Sequence, residues 1–183
     1  SDGTLVAFDT GPANAPINDF MKSLGQGAMD VDGALAAQGT VDEALLAHRM
    51  ILPYLTQAYP KSLDRFDFGY DWVAGLSAQD GAATLTAFSA AAVGKALDLL
   101  PERPTRVIVC GGGRHNPAIM GMLSMHIGKD VASAEDYGWD GDALEAQAFA
   151  YLAVRVAKGL PTSCPGTTGV RAAVSGGIVS RAG

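Results

Sequence analysis

Apolar positions follow two spacings along this chain. Leu5-Val6-Ala7-Phe8 and Arg106-Val107-Ile108-Val109-Cys110 are short apolar runs that predict strands, the second a buried parallel one. Elsewhere apolar residues recur every three or four positions, as on one face of a helix. That spacing predicts a first helix from near Pro16, through Ile17, Phe20, Met21 and Leu24, with Asn14 as its cap. A second is expected from Val41 to about Leu55, with Thr40 as N-cap and Glu43 completing a capping box. Ser77 opens a third, alanine-rich helix that runs to Leu100. Its apolar run is broken by Thr84, Thr86, Ser89, Lys95 and Asp98, which makes it a core helix and not a membrane span. Asn116-Pro117 opens a fourth helix to about Ile127, and a fifth spans Asp142 to Lys158.

The segments between them are punctuated by Gly and Pro. Met29 to Gly39 reads as a linker or short helix carrying Asp30 and Asp32. Tyr59, Phe66, Phe68, Tyr70 and Trp72 crowd one loop-like stretch, an aromatic density that predicts packing against the core. Nearby Lys61 and Arg65 read by default as solvated charges. Strand and helix alternate with no internal repeat and no low-complexity linker, so residues 1–183 are expected to form a single α/β domain. Strands are few for so many helices, and the sheet looks incomplete.

Composition narrows the function classes. Apolar residues are 48% of the chain and the net charge is only −6, which excludes a solvated disordered polypeptide. With 13 Lys and Arg against 19 Asp and Glu, a nucleic-acid partner is not expected. Cys110 and Cys164 are too few for a disulfide framework or a four-ligand zinc site. His48, His115 and His126 show no metal-ligand spacing, so no metal site is expected. The sequence shows no signal segment and no apolar run of membrane length, which makes the cytoplasm the expected compartment and a membrane an unexpected partner. Glycine is the exception, at 23 of 183 residues against the usual ~7%.

Three constellations carry candidate chemistry. Gly111-Gly112-Gly113 follows a strand and precedes a helix, where a ligand can approach bare backbone and free N–H groups. A tight turn without a ligand would read the same way, and the spacing is neither the Rossmann nor the Walker pattern. Asp9-Thr10-Gly11-Pro12-Ala13-Asn14 is a second turn at a strand end, with Gly11 free to take positive φ and Asp9 able to serve a metal or a sugar hydroxyl. It reads equally as an Asx-turn with a cap. Asp142 and Glu145 are placed in the first turn of the last helix, facing one side of it, where ordinary capping electrostatics would also put them.

Four stretches together carry a resemblance: FDTGPANAPIND, PKSLDRFDFGYDWV, VIVCGGGRHNPAIMGML and WDGDALEAQAFAYLAVRVAKGLPTSCPGTTG. In this order they resemble the carboxyl-terminal half of the anhydro-N-acetylmuramic acid kinase family, within the actin-like sugar kinases. The resemblance implies an actin-like, ribonuclease H-like lobe of three layers whose sheet lacks its first strands. It implies ATP and Mg²⁺ as cofactors and the anhydro-amino sugar of peptidoglycan turnover as substrate. Water opens the anhydro ring while the freed hydroxyl takes the γ-phosphoryl group. By position, Gly111, Gly112, Gly113 and Asn116 match the adenosine contact. Asp9, Gly11, Pro12 and Asn14 match a turn facing the interlobe cleft, and Glu145 matches a carboxylate facing the sugar. The family has a second glycine where this chain has Ala13. Its phosphate loop, its catalytic base and the hairpin opening the second lobe match nothing here. The implied partners are therefore an amino-terminal lobe of the same protein and, where members pair, a second copy. The chain alone is expected to be inactive. The other reading is a non-catalytic binding module derived from such a lobe.

Overall fold

The structure, a computed structural model, describes residues 4–128 and 130–180. Its elements are α1 (Ala15–Ser23), α2 (Glu43–Arg49), α3 (Ala78–Leu97), β1 (Arg106–Val109), α4 (Pro117–Ile127), β2 (Asp130–Ser133), α5 (Leu144–Ala157) and α6 (Pro165–Thr168), joined by several 3₁₀ turns. The core is α3. Ser77 caps it by accepting the Asp80 N–H, and most of its residues, from Gly81 to Ala96, are buried. Helices α1, α2 and α4 and the 3₁₀ turn Ala36–Gln38 all pack on it. The α3–α4 contact is the most extensive, and it is close because Gly94 has no side chain: a Cβ there would lie 2.9 Å from the His126 carbonyl oxygen.

β1, α4 and β2 form a βαβ unit. The two strands pair in parallel, Arg106 opposite Asp130 and Val109 opposite Ser133. The predicted strand at Arg106 is therefore present and parallel, but half-buried, not fully buried. Its partner β2 has no counterpart among the predicted elements. Mixed helix and strand content with a two-stranded parallel sheet places the chain in the α/β class. No helix among the described residues is long and apolar enough to cross a membrane.

Several expectations need correction. Leu5–Phe8 forms no strand: its backbone bond runs from the Ala7 N–H to the Gly166 carbonyl and, just beyond it, from the Asp9 N–H to the Lys61 carbonyl. The Val41–Leu55 helix is shorter. Asp42, not Thr40, is the cap, accepting the Leu45 N–H, while the Thr40 N–H is drawn to Asp80 at 2.7 Å. The helix stops at Arg49 and a 3₁₀ turn, Pro53–Thr56, follows. Pro53 disfavours helical backbone at Leu52, which lies at φ −53° and ψ 128°. The aromatic loop does pack down, with Phe68 and Val73 buried and Trp72 edge-on to Phe88, although Phe66 stays exposed. Lys61 is not a solvated charge. It is buried, donates to the Tyr54 carbonyl at 2.7 Å and lies over the Tyr54 ring, and burial lowers its pKa.

Candidate functional site

The chain leaves β1 at Val109 and enters the triple glycine before α4 begins at Pro117. Gly111 adopts φ 72° and ψ 177°, a conformation that L side chains rarely take. A Cβ built on Gly111 or Gly112 would meet nothing within 4 Å. These glycines relieve no crowding. They leave open space against bare backbone.

Cavities of about 290, 560 and 270 Å³ share Gly112 as a wall. The first is closed by α1 and residues 29–32 and includes Asn14, Asn116 and His115. The second is closed by the start of α5 and includes Asp142 and Glu145. The third runs between α3 and α4 and is largely apolar, with Val93, Val109 and Leu123 beside Asn14 and Ser89. The fold thus brings Gly111, Gly112, Gly113, Asn116, Asn14 and Glu145 around one turn, from segments far apart in sequence.

Their side chains are differently committed. Asn116 caps α4, its Oδ1 accepting the Ile119 N–H at 3.1 Å while its Nδ2 donates to the Asp30 carbonyl at 3.3 Å. Asn14 precedes α1 as expected but makes no capping hydrogen bond, so its amide is left to the cavities. Glu145 is exposed in the first turn of α5 and has no side-chain partner. Cys110, expected to be buried, is exposed and borders two of the cavities.

In the Asp9–Asn14 turn, Asp9, Gly11 and Pro12 do not line these cavities, whereas Ala13 lines the third. The Asp9 carboxylate accepts the Leu63 N–H at 3.3 Å, and its carbonyl accepts the Tyr54 hydroxyl at 2.9 Å. Pro12 is buried. Gly11 does not have positive φ; it is needed because a Cβ would lie 2.7 Å from Ala92 on α3. The left-handed residue of this turn is Ala13, at φ 50°, where the resemblance calls for glycine.

Arg114 ties the turn to α5, a role the sequence did not reveal. Its buried guanidinium holds Glu135 at 2.8 Å, Asp142 at 2.7 Å and the Gly111 carbonyl at 2.9 Å. The Gly111 N–H in turn donates to the Gly141 carbonyl at 3.1 Å. Asp142 therefore lies before α5, not within it, and points at Arg114. The hydrogen bonds from Arg114 hold the carboxyls of Glu135 and Asp142 down to about 2. Among the described residues, no group of three or more His, Cys, Asp or Glu is arranged to hold a metal ion.

The anhydro-N-acetylmuramic acid kinase family matches residues 1–182. The chain belongs to that family. It is 64% identical to the anhydro-N-acetylmuramic acid kinase of Rhizobium rhizogenes over 176 residues, covering 96% of this chain and 47% of that protein. Identity to the corresponding kinase of Mesorhizobium japonicum is 63%, covering 94% of this chain and 47% of the relative. For anhydro-N-acetylmuramic acid kinase 2 of a Jannaschia species, identity is 61%, covering 97% and 47%. The chain spans about half the length of the curated relatives it matches.

Proposed function

We propose that this chain is the carboxyl-terminal lobe of an ATP-dependent kinase that opens and phosphorylates anhydro-N-acetylmuramic acid in cell-wall recycling. One observation carries the proposal. The open glycine turn is a common wall of the cavities lined by Asn14, Asn116 and Glu145, the residues proposed to face the nucleotide, the cleft and the sugar. The open space over Gly111 and Gly112 fits a nucleotide lying against backbone. The residues described here do not form a cage for Mg²⁺. On this reading the ion arrives with the nucleotide phosphates and is completed by residues of the other lobe.

The lobe is proposed to be an actin-like, three-layer domain. The strands that complete its sheet belong to the part of the relatives outside this chain. That part is also the proposed partner for α5, which buries none of its residues and exposes Phe149, Tyr151 and Val154. The Asp9–Asn14 turn is proposed to face the same cleft. Phosphoryl transfer depends on positioning and charge neutralisation, and closure of two lobes excludes competing water. Within this chain, Glu145 is the group free to orient the sugar or the attacking water. The expected compartment is the cytoplasm.

Two results follow for assays. The 183-residue chain transfers no phosphate to the anhydro sugar, and measurable ATP-dependent product from it would contradict the proposal. In the full-length kinase, Glu145→Gln lowers kcat by about tenfold or more while ATP affinity stays within about twofold. Unchanged kcat would remove Glu145 from the site.

A further inference from the structure

The 560 Å³ cavity at the start of α5 has the glycine turn on one side and the helix entry on the other, with Gly111, Gly112, Asp142 and Glu145 among its walls. Buried packing contributes little to the distance between those walls, because α5 buries none of its residues. Polar contacts join them instead. The Gly111 N–H donates to the Gly141 carbonyl at 3.1 Å. From the other side, Arg114 Nη1 donates to the Gly111 carbonyl at 2.9 Å and to Asp142 at 2.7 Å. One nitrogen thus spans the glycine turn and the entry to α5.

Arg114 lies behind the cavity and is not one of its walls. Its side chain is 3% exposed, against 47% for Glu135 and 69% for Asp142. Glu135 takes the Nε and Nη2 edge of the guanidinium at 2.9 and 2.8 Å, and it also accepts the Gly141 N–H at 3.1 Å. Gly141 lies against the guanidinium so closely that a Cβ there would fall 2.7 Å from Arg114 Cζ. Three acceptors on two edges require a planar fork; a lysine ammonium is a point charge that cannot meet all of them. Glu135 alone neutralises the buried cation, so charge pairing does not call for a second carboxylate. Asp142 is the handle by which the guanidinium holds the chain three residues before Glu145.

We propose that Arg114 is a positioning residue for the transfer reaction. It sets where the Glu145 carboxylate stands relative to the glycine turn, and it touches neither ligand. The inference rests on the reading of the turn as nucleotide-facing and of Glu145 as sugar-facing. A misplacement of about 1 Å can cost on the order of 100-fold in rate, so a loosened entry to α5 lowers kcat through Glu145.

The test is a double-mutant cycle on kcat in the full-length kinase, combining Glu145→Gln with Arg114→Lys and, separately, with Asp142→Ala. Arg114→Lys leaves Glu135 a cation to pair with but cannot also hold Asp142 and the Gly111 carbonyl. Asp142→Ala keeps the Arg114–Glu135 pair whole, so it carries the test if the lysine variant does not fold. Each lowers kcat about tenfold when Glu145 is present and less than about twofold when Glu145 is already glutamine. An equal loss in both backgrounds marks a merely structural role, and no loss in either means that other contacts hold α5. Both results overturn the inference, while a kcat loss from Glu145→Gln alone upholds the reading beneath it. If Glu145→Gln alone leaves kcat unchanged, the reading of Glu145 and the inference fall together.

Discussion

Arg114 shows how a single side chain organises this site. It meets Glu135 and Asp142, 21 and 28 positions away, and also the Gly111 carbonyl, so it fixes the glycine turn and the entry to α5 together. Both carboxyls ordinarily titrate near 4.5 and 3.8 and are held at about 2 by the guanidinium. Groups with a depressed folded-state pKa contribute stability above their ordinary values and lose it as pH falls through the folded value. The acid limb of the stability profile between pH 4.5 and about 2 therefore belongs in part to this cluster. Glu135→Gln is expected to flatten that limb, measured as denaturation midpoint against pH, and an unchanged limb would show that the pair is not linked to folding. None of this was legible in the sequence, because ion-pair partners at such separations leave no local pattern. The caps Ser77 and Asn116 were legible because a cap acts on N–H groups within its own next turn.

Among the elements, α3, α4 and β1 follow from the sequence because their apolar spacing and their punctuation by Ser77, Gly111 and Pro117 agree, although α3 ends at Leu97 and not at Leu100. The α2 region fails where two signals compete. The apolar stripe continues past Arg49, but Pro53 disfavours helical backbone at Leu52. β2 escapes notice because Asp130-Val131-Ala132-Ser133 is too short and too polar to read as a strand without β1 beside it. The α3–α4 contact beneath the site depends on Gly94. Gly94→Ala forces a Cβ towards the His126 carbonyl and is expected to cost about 1–3 kcal/mol. Chemical denaturation measures this directly, and a neutral result would mean that α4 shifts freely on α3.

At the scale of the whole molecule, the chain belongs to the anhydro-N-acetylmuramic acid kinases and spans about half of its relatives. Among the described residues the sheet has two parallel strands and α5 buries none of its residues. The candidate site was legible in the sequence as separate turns. That Asn14 and Glu145 flank the same glycine turn, while Asp9 does not reach it, depends on how the helices pack. The central claim is that this turn is where the nucleotide binds. The most direct measurement is titration of ATP into wild type and Gly112→Leu, followed by backbone amide NMR. A leucine at Gly112 fills open space, so folding is unaffected within about 0.5 kcal/mol. The account predicts shifts centred on Gly111, Gly112 and Gly113 in wild type and at least about tenfold weaker binding in the variant. Equal ATP binding by the two proteins, or shifts confined to other parts of the chain, would contradict it.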